Sequence, residues 1–304
     1  MFRKQDEPEC EVEDFVLSDG DELECYWYNK KENPSKILIL FHGLAGSFKS
    51  SYIQGMMNYF SNEGYTVVLM HFRGCGLKDN KMPRLYHSGE TSDAKEFISN
   101  VKSRYPQSEL YAVGFSLGGN MLLKLVAEQG EDSPFEAVVS VSAPLQLDLS
   151  SKTMSKGFSK FYQWYLLKSL KKSAHKKFEK FDMAKYVNIK KYEINNLNTF
   201  WLFDDKITAP LHGFSDAKEY YDLSSSRQYL KDIRVNTLVI NALDDPFMDE
   251  NGIANKDEIS SCVTLYNPKH GGHVGFVEGS FFKPNFFIER AVKSFFNRID
   301  KSII

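Results

Sequence analysis

The side chains best suited to bond-making chemistry are one serine, two aspartates and two histidines, in the chain order Ser, Asp, His. Ser116 lies in Gly114-Phe115-Ser116-Leu117-Gly118, a Gly-x-Ser-x-Gly spacing. Asp244 and Asp245 follow the apolar run Thr237-Leu238-Val239-Ile240-Asn241-Ala242, and His270 and His273 flank Gly271-Gly272. A serine hydroxyl is a poor nucleophile at neutral pH. It needs an imidazole to take its proton and a carboxylate to hold that imidazole in the right tautomer. Three such groups would attack an acyl carbonyl and pass through an acyl-enzyme.

Each group must arrive on a different element. An apolar β-rich run, Tyr111 to Phe115, enters the serine turn, and an amphipathic run, Met121 to Val126, leaves it, so the stretch reads strand, tight turn, helix. Side chains two residues either side of such a turn would collide, which calls for glycine at Gly114 and Gly118. The pentapeptide alone arises by chance in roughly one chain in ten of this length, so its context carries the weight. A helix starting at Leu117 points free N–H groups at an oxyanion beside Ser116. The second donor is expected in the loop after the third strand, where His42-Gly43-Leu44 nominates Leu44. For the acid, a small-residue-x-x-Asp strand ending counted from Ala242 selects Asp245, while a one-residue shift of the turn would exchange it for Asp244. Gly271-Gly272 gives His273 freedom to approach Ser116, whereas His270 follows the strand more directly. His273 is favoured.

The surrounding pattern supplies the scaffold. Val12 to Leu17 and Leu23 to Tyr28 alternate around Ser18-Asp19-Gly20-Asp21, a hairpin signal. Lys36 to Phe41, Thr66 to Met70, Ala137 to Ser142 and Thr237 to Ala242 read as buried strands, and Val263 to Tyr266 as a further strand. Helices are expected at Ser51 to Phe60, Ser92 to Tyr105, after Ser116, and from Phe281 to Arg298. Such alternation argues for an α/β fold, a mostly parallel sheet with helices on both faces and its ligand site outside the carboxyl ends of the strands. The alternation stops between residues 145 and 233. This segment is expected to be an inserted helical cap, with residues 1–144 and 234–304 forming the core.

Within the cap, residues 151–191 hold twelve lysines against Glu179 and Asp182, a local charge of +10 in a chain whose net charge is −2. Phe158, Phe161, Tyr162 and Tyr165 recur there at helical spacing. One reading is an aromatic stripe packed on the core with lysines solvating the outside. The other is a basic amphipathic surface in peripheral contact with anionic membrane. No nucleic-acid module accompanies the lysines, and the overall charge excludes a chain-wide polybasic strategy. The four cysteines show no paired or zinc-like spacing, Met1 to Glu7 lacks the apolar core of a signal peptide, and no run approaches the roughly 18 apolar residues of a membrane span. A soluble cytoplasmic protein is expected. His42, His71, Arg73 and His87 lack metal-ligand spacing and read as hydrogen-bonding struts, so no metal and no cofactor are expected.

Taken together, Phe41-His42-Gly43-Leu44, His71-Phe72-Arg73-Gly74-Cys75, Tyr86-His87-Ser88-Gly89-Glu90-Thr91, Gly114 to Asn120, Thr208 to Phe214, Asn241 to Phe247 and Gly271 to Phe276 resemble the motifs of the YheT-like branch of the α/β-hydrolases. The resemblance covers almost the whole chain. It implies an eight-stranded, mostly parallel sheet with an inserted helical cap. It also implies a carboxylic-ester hydrolase of the esterase or lipase kind, acting on short- to medium-chain acyl esters or lipids, with the triad roles on Ser116, Asp245 and His273. Ala45 and Gly76 stand where bacterial relatives often carry Glu and Ser, departures that bear on substrate preference and leave the reaction untouched. Transfer of the acyl group to an alcohol is a close variant of the same chemistry, and a non-catalytic membrane-surface or scaffold protein of this fold is the alternative of another class.

Overall fold

The computed structural model of the chain describes residues 6–280 and 283–302. Strands β1 (Glu11–Val16) and β2 (Glu22–Tyr28) form the antiparallel hairpin, closed by a turn in which Gly20 has a positive φ. β3 (Lys36–Phe41), α1 (Ser51–Asn62), β4 (Thr66–Met70), α2 (Ser92–Arg104), β5 (Glu109–Phe115), α3 (Leu117–Gln129) and β6 (Phe135–Val141) then alternate. Eight strands make one sheet in the order β1-β2-β4-β3-β5-β6, completed by β7 (Asn236–Ile240) and β8 (Val263–Tyr266). β2 pairs antiparallel with β4, and from β4 to β8 every pairing is parallel.

The continuous apolar runs have a simple cause. Successive side chains of a strand point to opposite faces, and both faces are covered. Ile37, Ile39 and Phe41 of β3 enter one core with Phe97, Ile98 and Val101 of α2 and Met121 and Leu122 of α3. Leu38 and Leu40 enter a second core with Ile53, Met56 and Phe60 of α1. The far end of the chain supplies Val292, Phe295 and Phe296 to that second core. Truncating any of these fully buried side chains to Ala should cost about 2–5 kcal/mol.

Between β6 and β7 the chain leaves the sheet. It forms α4 (Leu147–Met154), the 22-residue α5 (Ser159–Lys180), short turns, α6 (Phe200–Phe203), a π-helical turn over Asp204–Thr208, α7 (Ala209–Leu211) and α8 (Ala217–Ser224). α5 turns Gln163, Leu167, Ala174 and Lys177 inward and leaves Phe158, Phe161, Trp164 and Tyr165 more than half exposed. Only Tyr162 of the expected inward stripe packs toward the core, its ring 5.1 Å from that of Phe247. The lysines divide as well. Lys177 is buried and donates to Asn80 Oδ1 and the Met82 carbonyl, both at 2.5 Å, and burial lowers its pKa to about 8. Lys176 and Lys180 grip Asp79. These three fasten α5 to a loop of the sheet portion.

After β8 the chain differs from expectation. A small hairpin, β9 (Val277–Ser280) with β10 (Lys283–Phe286), precedes α9 (Phe287–Ser302), so the closing helix begins later than Phe281, itself outside the described residues, as are Met1 to Gln5. Pro284 in β10 suits a strand without neighbours beyond its hairpin partner. Among the described residues, no helix is long and apolar enough to cross a membrane.

Candidate active site

The turn between β5 and α3 is as tight as its glycines imply. Ser116 has φ 51° and ψ −119°, a strained conformation for a residue with a side chain. A Cβ at Gly114 would lie 2.4 Å from the Gly118 carbonyl oxygen, and one at Gly118 would lie 2.6 Å from that of His42. Either addition would push the elbow apart. Ser116 N–H donates to the Val141 carbonyl at 2.8 Å, so the strain is held by the sheet itself.

His273 Nε2 stands 3.0 Å from Ser116 Oγ, and His273 Nδ1 stands 2.9 Å from Asp245 Oδ2. The Asp245 side chain is fully buried, and its other oxygen accepts the Phe247 N–H at 2.9 Å. The Phe247 ring lies on the imidazole of His273, centroids 3.9 Å apart. Asp244 does something else. Its Oδ1 accepts the N–H groups of Gly271 and Gly272 at 2.9 and 2.8 Å, and its Oδ2 faces His270 Nδ1 at 3.2 Å, an imidazole that is 89% exposed. Those amide bonds hold its carboxyl below the usual range. Asp244 ties down the loop that carries His273, and neither Asp244 nor His270 reaches the serine.

Leu44 and Leu117 both border the cavity above Ser116, and among the described residues neither backbone N–H has an acceptor. The loop carrying Leu44 is clamped on both sides: Tyr52 Oη accepts the Gly43 N–H at 3.0 Å and Tyr86 Oη accepts the Ala45 N–H at 2.9 Å. Ala45 sits at φ 55°. Sequence reasoning assigned neither tyrosine this role: Tyr86 stood only within a family motif, and Tyr52 reaches back from the first turn of α1. It also missed Ser142, at φ 53°, whose Oγ accepts the Val274 N–H at 3.1 Å and so fixes the residue after His273.

The strut residues are engaged throughout. His42 Nε2 accepts the Phe72 N–H at 3.2 Å, and burial, with His71 nearby, lowers its pKa to about 3, which keeps it neutral. His71 Nε2 accepts the Phe48 N–H at 3.0 Å. Arg73 makes a two-bond fork to Asp93, at 2.6 and 2.7 Å, and donates to Asp21. His87 meets two residues that its sequence neighbourhood did not suggest as a group: candidate ligand atoms of His87, Glu90 and His212 all lie within 4.8 Å of one another. These could hold a metal ion by type. However, Glu90 already takes Ser92 and Arg84, and His87 Nδ1 accepts the Gly89 N–H at 3.2 Å. A metal would have to displace those partners.

Two cavities meet at Ser116. One, of about 960 Å³ including its mouth, runs beneath α4, α5 and α6 between Leu85, Leu117, Leu147, Met154, Leu170 and Phe203. The other, of about 1410 Å³, opens past His273, Val274 and Gly275 and is bordered by Tyr162 and Tyr165. A polarised serine where two largely apolar cavities join suits a substrate with two halves.

Known proteins resemble the chain over most of its length. Residues 36–280 match the family described as alpha/beta hydrolase fold. The chain is 39% identical to YheT of Escherichia coli, over 96% of this chain and 86% of that protein. It is 28% identical to medium-chain fatty acid ethyl ester synthase/esterase 2 of Saccharomyces cerevisiae and 28% identical to human phospholipase ABHD3, covering 88% and 91% of this chain but 63% and 66% of those proteins. Among solved structures, the Pyrococcus furiosus esterase Pf2001 superposes with a TM-score of 0.60 over 95% of this chain and 92% of its own, at 17% identity, a likeness of fold. The chain belongs to the α/β-hydrolase family, in the branch of esterase- and lipase-like hydrolases that includes YheT.

Proposed function

We propose that this enzyme cleaves carboxylic esters through an acyl-enzyme on Ser116, with His273 as the base and Asp245 as its orienting carboxylate. The observation that carries this reading is the unbroken line from Ser116 Oγ through the His273 ring to a buried Asp245, at 3.0 and 2.9 Å. Ser116 Oγ attacks the ester carbonyl as its proton passes to His273 Nε2. The oxyanion falls to the N–H groups of Leu44 and Leu117, each such donor being worth about 3 kcal/mol in the transition state. His273 then returns the proton to the leaving alcohol, and water repeats the sequence to free the acid. His273 borders both cavities, so Leu117 distinguishes them: the acyl half takes the cavity beside this oxyanion donor, under α4, α5 and α6, and the alcohol half takes the other. An alcohol entering in place of water would make the same enzyme an acyltransferase.

Residues 145–233 act in this reading as the cap that walls the acyl cavity. Short- to medium-chain acyl esters, including lipid esters, are the proposed substrates, in keeping with the named activities of the yeast and human relatives. The exposed aromatics of α5 favour a membrane role for the cap: Phe161, Trp164 and Tyr165 continue along one helix face into Lys168 and Lys172, which have no ion-pair partner among the described residues. Such a face suits an anionic lipid surface. The test is hydrolysis of p-nitrophenyl esters of graded acyl length by wild type and Ser116→Ala, with fluorophosphonate labelling. Turnover and labelling that vanish together in the variant support the reading. A wild type that neither turns over nor labels returns the scaffold alternative.

A further inference from the structure

The acyl cavity is walled by leucine, methionine and phenylalanine together with several hydroxyl-bearing side chains, and it contains one carboxylate. Asp204 opens the π-helical turn between α6 and α7 and shares the cavity with Ser116. It is partly buried and lines the cavity. Thr208 Oγ1 donates to its Oδ1 and Tyr221 Oη to its Oδ2, both at 2.7 Å. Each carboxylate oxygen can accept a second hydrogen bond, and no other donor reaches either one among the described residues. Thr208, Tyr220, Tyr221, Ser150 and Ser151 border the same cavity.

Holding Thr208 and Tyr221 does not require a charge. An amide could bridge two hydroxyls, each of which can donate or accept, without the several kcal/mol that a buried carboxylate costs. Burial raises the pKa of Asp204 to about 6, so it carries its charge at neutral pH against an unfavourable setting. π-helical turns of this kind recur at functional sites. A charged acceptor with open lone pairs in an apolar cavity calls for a donor on the ligand.

We infer that the acyl chain taken by this cavity carries a hydroxyl group that donates to Asp204, so that the preferred substrates are esters of hydroxylated fatty acids. The inference rests on the serine-hydrolase reading and on the acyl half entering the cavity beside Leu117. A carboxylate-ended chain would meet Asp204 as a like charge and be rejected.

The test compares p-nitrophenyl octanoate with its 6-, 7- and 8-hydroxy derivatives and with the mono-p-nitrophenyl ester of octanedioic acid, each corrected for release without enzyme, on wild type, Asp204→Asn and Tyr221→Phe. A hydrogen bond to a charged group corresponds to about tenfold or more. At least one hydroxylated chain should therefore exceed octanoate by about tenfold in kcat/KM in wild type, and the carboxylate-ended chain should fall below it. Asp204→Asn should collapse that ratio toward one, whereas Tyr221→Phe, which keeps the carboxylate and frees Oδ2, should preserve it. If Asp204→Asn does not fold, the wild-type ratios and Tyr221→Phe decide. Turnover of octanoate with no hydroxylated chain preferred overturns this inference alone, as does a ratio unchanged in Asp204→Asn. Absence of turnover on every ester overturns the serine-hydrolase reading with it.

Discussion

Two aspartate–histidine pairs stand side by side at the sheet's edge, built from the same residue types in the same two loops. Asp245 is buried and His273 partly buried, 2.9 Å apart, and the pair is aimed at Ser116. Asp244 and His270 are displaced by one and three residues, and their contact of 3.2 Å is exposed. The difference teaches that composition does not make a relay. Asp245 is buried, held by the Phe247 N–H on one oxygen and by His273 on the other, while Asp244 spends one oxygen on two backbone amides of the histidine loop. In the proposed reaction one pair serves the serine, and its neighbour holds the loop in position.

The comparison can be broken in several ways. The largest effect belongs to the serine that both pairs could have served: Ser116→Ala should lower kcat by up to about 10⁶-fold, read in steady-state ester hydrolysis. Asp245→Asn should follow at about 10⁴-fold, since the wrong histidine tautomer then faces the serine. Asp244→Asn should cost less than about tenfold, and equal losses in these two aspartate variants would dissolve the distinction. Tyr86→Phe, which frees the Ala45 N–H and loosens the loop bearing Leu44, should reduce kcat by about tenfold with KM little changed, because the oxyanion contact forms only in the transition state. The smallest effect concerns stability. The Asp244 carboxyl is held below its ordinary value, so its contribution is present above about pH 4 and is lost as pH falls through its folded pKa. Thermal melts of Asp244→Asn should therefore lie below wild type at neutral pH and converge with it in acid.

Much of this site was legible in the sequence because its requirements are local. Gly114 is dictated by backbone contacts within five residues, although Gly118 answers to the distant carbonyls of Phe41 and His42, and the alternating burial of β3 is written as an unbroken apolar run. The choice between His270 and His273 was harder, since it depends on the direction in which the Gly271-Gly272 turn departs, and Gly272 adopts φ 61° under the hold of Asp244. The clamps from Tyr86 and Ser142 were illegible, because each joins segments that only the sheet brings together, while Tyr52 reaches back to the loop from the first turn of α1. So was the meeting of His87 with His212, whose rings lie 4.4 Å apart across 125 positions of chain. The twelve lysines of residues 151–191 looked uniform, yet Asn80, far upstream, draws Lys177 inward and Asp79 tethers Lys176 and Lys180 at the surface.

Asn120, in the first turn of α3, donates to the carbonyls of Ser88 and Ser224 and accepts the Ser226 N–H. Leu147 N–H reaches Ser225 Oγ, and Arg227 N–H reaches the Leu145 carbonyl, so the two ends of the long insertion are stitched to each other as well as to the elbow helix. For chimaera construction, this marks where scissors belong. A transplanted insertion should be cut inside the stitches, at about residues 148 and 223, leaving Leu145, Leu147 and Ser224 to Arg227 with the recipient, whose Asn120 then receives the foreign segment on a seam it already knows how to close.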